Sequence, residues 1–368
     1  MAWATEVIRV GPDKPVRSIA EAALLAKSGA VIEVDSGEYH GDVAVWTQNQ
    51  LTLRAVGGRV VLKASGFAAE GKAIWVVRAQ LFTVEGFDFS GASVADHNGA
   101  GIRLESGSMV VKNCRFIDNE NGILTSNRAD IELDIVNSEF ARNGFGDGLT
   151  HNLYVGAIAR LSVKGSYFHH AIVGHLVKSR AAVNDIRYNR LTDGPGGRAS
   201  YELEFPNGGV AYVVGNIIEQ GLQTGNPHLI SYAAEGYRWP RNALYLINNT
   251  LVDNSPRGGI FLRVKPDQAN IMAVNNLLVG DGKLESAGPG DYRNNLKVGR
   301  DVFESVVGED YRLKPDVRLK SKLVEPGLVD GVSLQPQFQY LHPMGMRALA
   351  GKPRLPGALQ FGRTTGTP

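Results

Sequence analysis

Short apolar strands, each closed by a polar bend, recur along most of this chain. Asparagine marks the bends most clearly. Asn189, Asn216, Asn249 and Asn276 stand in the phrases Tyr188-Asn189-Arg-Leu, Gly215-Asn216-Ile-Ile, Asn248-Asn249-Thr-Leu and Asn275-Asn276-Leu-Leu. Their separations are 27, 33 and 27 residues (216−189, 249−216, 276−249). Strands this short at this period exclude helical repeats and predict a β-solenoid. Cys114, Ser138 and Ser166 extend the same column toward the amino terminus. A polar residue turned inward at a bend finds partners in the equivalent residues of the coils above and below. The reading is all-β: a parallel β-helix.

The ends read differently. Val7-Ile-Arg-Val10 forms a first strand, and residues 18–27 carry apolar positions at helical spacing, with Ser18 and Glu21 in capping-box register. This capping helix covers one open end of the stack. The strands Val31-Ile-Glu-Val34, Leu51-Thr-Leu-Arg54 and Val60-Val-Leu62 follow. Beyond about residue 290 the period fades. The expected organisation is a β-helix with its cap over 1–290. An irregular carboxy-terminal segment over 291–368 covers the other end or runs along the side, with a frayed tail at 364–368.

Composition narrows the chemistry. A formal charge of +2 leaves no basic footprint for nucleic acid, and no apolar run is long enough to span a membrane. Cys114 is the single cysteine, which excludes an internal disulfide and a Cys-rich zinc site. The first six residues show no basic segment followed by an apolar run, so a cytoplasmic protein or a trimmed leader is expected.

Used as a ruler, the bend column aligns Leu153, Leu176 and Leu203 before Ser166, Asn189 and Asn216, with Leu229 in the same slot. Strand side chains alternate between faces. The residue before each leucine is then expected on the surface, which stacks Asn152, His175, Glu202 and His228 in one column. Tyr154 and Glu204 face outward two places on. Lys178 falls on the inward phase of this frame, so the strand is expected to end at Val177 and project Lys178 and Arg180 from a bend. Asp147 and His151 reach the same rim from upstream. Asn207 lies in the Pro206-Asn207-Gly208-Gly209 turn, and Arg238 with Trp239 on a loop that walls the groove. A carboxylate beside an imidazole suits acid–base work, and paired cations suit an anionic ligand.

These residues resemble the pectate-lyase-like parallel β-helix superfamily over about residues 5–290, which implies a right-handed helix. The phrase Lys178-Ser179…Asn184…Asn189-Arg-Leu191…Asn216-Ile-Ile is similar to the family of chondroitinase B and certain alginate lyases. That likeness implies Lys178 as the base at the sugar C5. The family's Arg-His-Gly motif is absent, Glu202-Leu-Glu-Phe-Pro-Asn-Gly-Gly standing in its place, so no acid is carried over. The chain more closely resembles bacterial β-helix proteins with His-Asn-Leu-Tyr, Gly-His-Leu-x-Lys-Ser-Arg-Ala and Pro-Asn-Gly-Gly phrases. The resemblance also implies a secreted or periplasmic location.

The leading expectation is a β-elimination lyase on an acidic, uronate-containing polysaccharide. Arg180 or Arg238 would neutralise the uronate, Lys178 or His175 abstract the proton, and His151 or Tyr154 donate one. Asn152, Glu204, Asn207 and His228 would contact substrate. A C5 epimerase needs nearly the same groups. Hydrolysis through Glu202, Glu204 and Asp147 and non-catalytic polysaccharide binding are the alternatives. No motif calls for a cofactor; a divalent cation on His175, Glu202 and His228 is the remaining option.

Overall fold

The computed structural model describes residues 6–266, 269–284, 288–319 and 323–360. The tail expected at 364–368 lies outside them. Apolar strands wind into a right-handed parallel β-helix whose coils each run through three faces. One coil goes from Leu153–Val155 on the front face to Arg160–Lys164 on the second, turns at Ser166, and returns along Tyr167–His169 on the third. Nine strands stack in parallel on the front face, from Ala44–Trp46 to Ile260–Val264.

The bend between the second and third faces is built as its composition predicts. In the αL region stand Asn113, Asn137, Gly165, Tyr188, Gly215, Asn248 and Asn275, each just before a column residue. Asparagine and glycine tolerate that region best. The column residue then points inward. Asn216 Oδ1 accepts from the Asn189 backbone N–H (2.9 Å) and Nδ2 (3.1 Å), and Asn249 Oδ1 does the same for Asn216 (2.9 and 3.0 Å). Each Nδ2 also donates to a carbonyl of the preceding coil, as Asn216 does to Ile186 (2.9 Å). Ser138 and Ser166 accept one backbone bond each in place of two. Asn295 ends the ladder one coil beyond the last asparagine of the sequence frame, accepting from Asn276 Nδ2 at 2.7 Å.

Beside the ladder, Phe89, Phe116, Phe140 and Phe168 stack with centroids 4.9, 4.7 and 4.6 Å apart. The spacing is the coil rise, so one phenyl per coil gives a continuous buried file. At the amino end the helix Ile19–Leu25 lays Ile19, Ala22 and Ala23 on the core. Ser18 Oγ accepts from Glu21 N, and Asp42 takes the free N–H groups of Ile19 (2.6 Å) and Ala20 (2.8 Å).

Parallel pairing continues through Asp291–Arg293 and Leu296–Val298. Among the described residues the chain after that forms three short antiparallel pairs and runs along the side of the stack. It is tied to four of the coils: Gly345 N to Gly165 O (2.8 Å), Gln337 N to Tyr188 Oη (2.9 Å), Ala358 N to Thr250 Oγ1 (3.1 Å) and Gly357 N to Asn275 O (2.9 Å). Among the described residues no helix is long and apolar enough to cross a membrane.

Candidate functional site

The front face carries the site, but in a register one residue away from the sequence frame at its centre. Leu153 pairs with Val177, and Val177 with Leu203. The distances to the bend column are 13, 12 and 13 residues (166−153, 189−177, 216−203). The middle coil is therefore one residue shorter, and aligning Leu176 with the other leucines shifts it by one. In a β-strand such a slip exchanges the two faces. Lys178 is thus in phase, within the strand Val177–Ser179, and faces outward between Tyr154 and Glu204. The expected break at Val177 does not occur.

Asn152 and Glu202 are corrected as well, because they are fully buried. Strict alternation holds inside a strand, and these two lie in the corner just before one. There the chain turns two successive residues inward, Asn152 with Leu153 and Glu202 with Leu203. Asn152 Oδ1 accepts from the Asn143 backbone N–H (3.1 Å) and Nδ2 (2.8 Å), and Asn143 serves Asn119 in the same way (3.0 and 3.0 Å). This is a second asparagine ladder, and its role is structural. With Glu202 inside, His175, Glu202 and His228 do not converge on a cation, and Glu202 cannot pair with Glu204 as a surface carboxylate for hydrolysis. Among the described residues no group of three or more His, Cys, Asp or Glu side chains is placed to hold a metal ion.

The Glu202 carboxyl has neither oxygen hydrogen-bonded within the protein, and burial, with Asp193 nearby, pushes its pKa well up. Burial likewise pushes Asp193 up to about 7. An acid whose folded pKa exceeds its unfolded value, about 4.3 for Glu, binds more protons in the native state between the two. Stability from that group therefore falls as pH rises through this window and is greatest below it, with a slope of up to about 1.4 kcal/mol per pH unit. Glu202→Gln is isosteric and removes this slope. Urea unfolding at pH 5 and pH 8 is expected to show a smaller loss of stability in the variant than in the parent protein. Equal losses in both would mean that Glu202 is ionised when folded.

On the outward side of the front strands three files of side chains run side by side, and in them His151, His175, Glu204, Asn207 and Ser231 are themselves buried rather than surface-exposed. The corner file is His151, His175, Tyr201 and His228, one per coil, with ring centroids 4.5, 5.0 and 6.2 Å apart. Tyr201 was missed by the sequence frame because Glu202 was placed on the surface instead. The strand file is Tyr154, Lys178, Glu204 and Ser231. The file after the strand holds Arg180 and Asn207, with Glu235 reaching in from its loop.

His151 Nδ1 accepts from the His175 backbone N–H at 2.9 Å, so the neutral ring carries its proton on Nε2. Burial, with the charges of His175, Lys178 and Arg180 adding to it, holds His151 well below the ordinary imidazole range. Burial also lowers His175, against the opposing pull of Glu204, whose Oε2 lies 3.1 Å from Nε2. Lys178 Nζ stands 3.2 Å from the same oxygen. Burial alone would raise Glu204, but His175 and Lys178 outweigh it and hold the carboxyl low.

Arg180 is fixed on several sides. Its Nε donates to Tyr154 Oη (3.2 Å) and one Nη to Asn207 Oδ1 (2.9 Å), while its carbonyl accepts from Trp239 Nε1 (3.1 Å). The Lys-Ser phrase helps to place it: Ser179 points inward and donates to Asn184 Oδ1 (2.5 Å), and Asn184 Nδ2 donates to Ala181 O (3.1 Å), which sets the turn around Arg180. Asn207 is held by the Gly208-Gly209 turn. Gly209 has φ +93°, and a Cβ there would lie 2.7 Å from the Ala182 carbonyl, so only glycine fits.

Arg238 is exposed on the 235–241 loop, where its backbone N–H bonds Asn207 O at 3.1 Å; its contribution to the wall is that of the loop. Asp147 is also exposed, and its Oδ1 accepts from Leu149 N at 2.9 Å, shaping the upstream loop. On that loop Phe145 stacks on His97 with centroids 3.7 Å apart. His228 is half-buried at the far end of the corner file, with Nδ1 2.6 Å from Asn226 Oδ1. The structure thus joins His151, Tyr154, His175, Lys178, Arg180, Glu204 and Asn207 in one strip and leaves Asn152 and Glu202 beneath it.

The protein has a right-handed parallel β-helix fold. No family model and no curated protein sequence matches the chain. Among solved structures, pectate lyase Pel9A superposes over 90% of this chain and 96% of its own, with TM-score 0.62 and 13% sequence identity. A family PL6 alginate lyase, AlyGC, aligns over 79% of this chain and 53% of its own at 14% identity, with a TM-score of 0.28 that carries no weight. At such identities the likeness concerns the fold.

Proposed function

We propose that the protein is a polysaccharide lyase that cleaves a uronate-containing polymer by β-elimination on the front face. The observation that carries this reading is the juxtaposition of Lys178 with Arg180 and Tyr154: an amine in the strand file, a fixed guanidinium beside it, and a phenol 3.2 Å from that guanidinium. Elimination needs a cation on the carboxylate to stabilise the charge that develops at C5, a base for the C5 proton, and an acid for the leaving oxygen.

Arg180 binds the uronate carboxylate. Lys178 acts as the base and takes the C5 proton; the electron pair becomes the C4–C5 double bond as the C4–O bond breaks. Tyr154 gives its proton to the departing oxygen and is steadied by Arg180. Glu204 positions Lys178 through the ion pair at 3.2 Å and is itself held by His175 at 3.1 Å. The resemblance of the Lys178-Ser179 phrase to the chondroitinase B family and the name of the structural neighbour, a pectate lyase, both support the same class of reaction. A secreted or periplasmic site of action, where such polymers are met, goes with it.

The test is a panel of pectate, alginate, chondroitin and neutral glucans, assayed together for near-ultraviolet absorbance and for reducing ends. A rise in both on at least one uronan is expected. Reducing ends without the absorbing product would point to hydrolysis, and binding without either to a non-catalytic protein.

A further inference from the structure

The Glu235 carboxylate lies where a ligand carboxylate would be expected to lie. It forms a two-pronged pair with Arg180, at 2.6 and 2.9 Å, and its Oε1 is 4.0 Å from Lys178 Nζ. It therefore bridges the two cations of the strip. Its side chain is 44% exposed against 18% for Arg180, and it comes from a surface loop that begins after the strand His228–Tyr232. Gly236, with φ +106°, follows it directly.

Arg180 does not depend on this partner for its position. Tyr154, Asn207 and Trp239 hold it from three other directions. An arginine already fixed in place, facing an exposed carboxylate on a loop, is a preformed carboxylate site with an internal occupant. Fork-to-fork pairing is also the geometry by which arginine recognises a free carboxylate.

We propose that Glu235 is an internal competitor for the substrate carboxylate: it fills the Arg180–Lys178 subsite in the free protein and is displaced when a uronate binds. The inference rests on the lyase reading for the identity of the ligand. Any carboxylate sugar entering the subsite must break the Glu235 pair first, so part of its binding free energy is spent on that exchange. The same exchange keeps the two cations neutralised when no polymer is present, which leaves the strip near electrical balance between Lys178, Arg180, Glu204 and Glu235.

Glu235→Gln keeps the shape and removes the charge, and Glu235→Ala removes the side chain in case the amide still holds the fork. Calorimetric titration with monomeric galacturonate and glucuronate is expected to show about tenfold tighter binding to both variants than to the parent protein, a difference of about 1.4 kcal/mol. KM for the susceptible uronan is expected to fall by a similar factor. Arg180→Gln should abolish monomer binding in either background. Unchanged or weaker monomer binding by both Glu235 variants would show Glu235 to be a brace for Arg180 and overturn the proposal. If no uronan is cleaved by the parent protein, the lyase reading fails, while the monomer titration still decides whether Glu235 competes for the subsite.

Discussion

Lys178→Met is expected to lower turnover on the susceptible uronan by about 10²- to 10⁴-fold, the range a positioned proton-transfer group supplies. Methionine keeps most of the length and apolar stem but has no nitrogen to accept the C5 proton. Lys178 is one member of an outward file whose register is fixed by parallel pairing on both sides, with Tyr154 and with Glu204. The backbone should therefore stay in place, and thermal unfolding of the variant should remain cooperative. Loss of Nζ leaves Glu204 with His175 as its remaining ion-pair partner. A retained kcat in Lys178→Met, with Tyr154→Phe inactive, would move the base elsewhere and end this assignment.

The largest expected effect on stability comes from the bend ladder. Asn216 accepts two bonds from Asn189 and donates to Ile186 O and Asn249 Oδ1, all fully buried. Asn216→Ala strands several of these groups at once, each worth about 1–3 kcal/mol when left unpaired. A total loss of about 3–5 kcal/mol is expected in urea unfolding, at the upper end for single substitutions. Asn216→Ser should lose less, because a serine hydroxyl already fills this role elsewhere: Ser166 Oγ accepts from Ser138 N at 3.1 Å. A loss below about 1 kcal/mol in the alanine variant would show that the amides are not cooperative contributors.

These two residues also show what the chain reveals before it is folded. Asn216 and its companions were legible because the bend needs an αL residue followed by an inward amide, and both requirements leave a mark in sequence. Asn295 escaped because the coils shorten to 19 residues there (295−276) and the flanking pattern weakens. The front strands carry no such marker. Their frame had to be counted back from the bend, and a single missing residue between Val177 and Asn189 put Lys178 on the wrong side. The signal was present: a lysine on an inward phase would be an unpaired buried charge, which argued for shifting the frame rather than ending the strand. Glu202 and Asn152 misled for a different reason. At the corner two consecutive side chains turn inward, and nothing in a period-two pattern announces where a strand begins. Tyr201 was hidden by the same corner. Arg180 and Glu204 were expected to face outward and stand on the outward strip, while the bridge from Glu235 required the fold, since it joins residues 55 apart in sequence.

The carboxy-terminal segment along the side of the stack has a bearing on cooperativity. In a plain solenoid each coil touches only its two neighbours, so opening can start at any coil and spread by small steps. Here one strip of chain is bonded to Gly165, Tyr188, Thr250 and Asn275, residues of four different coils. A bonded coil cannot leave the stack without also releasing its tie to that strip. A series of separable units is thereby bound into a single unit of local unfolding. That unit contains Lys178, Arg180, Glu204 and Glu235, so the groups that must keep a common geometry belong to coils that open together.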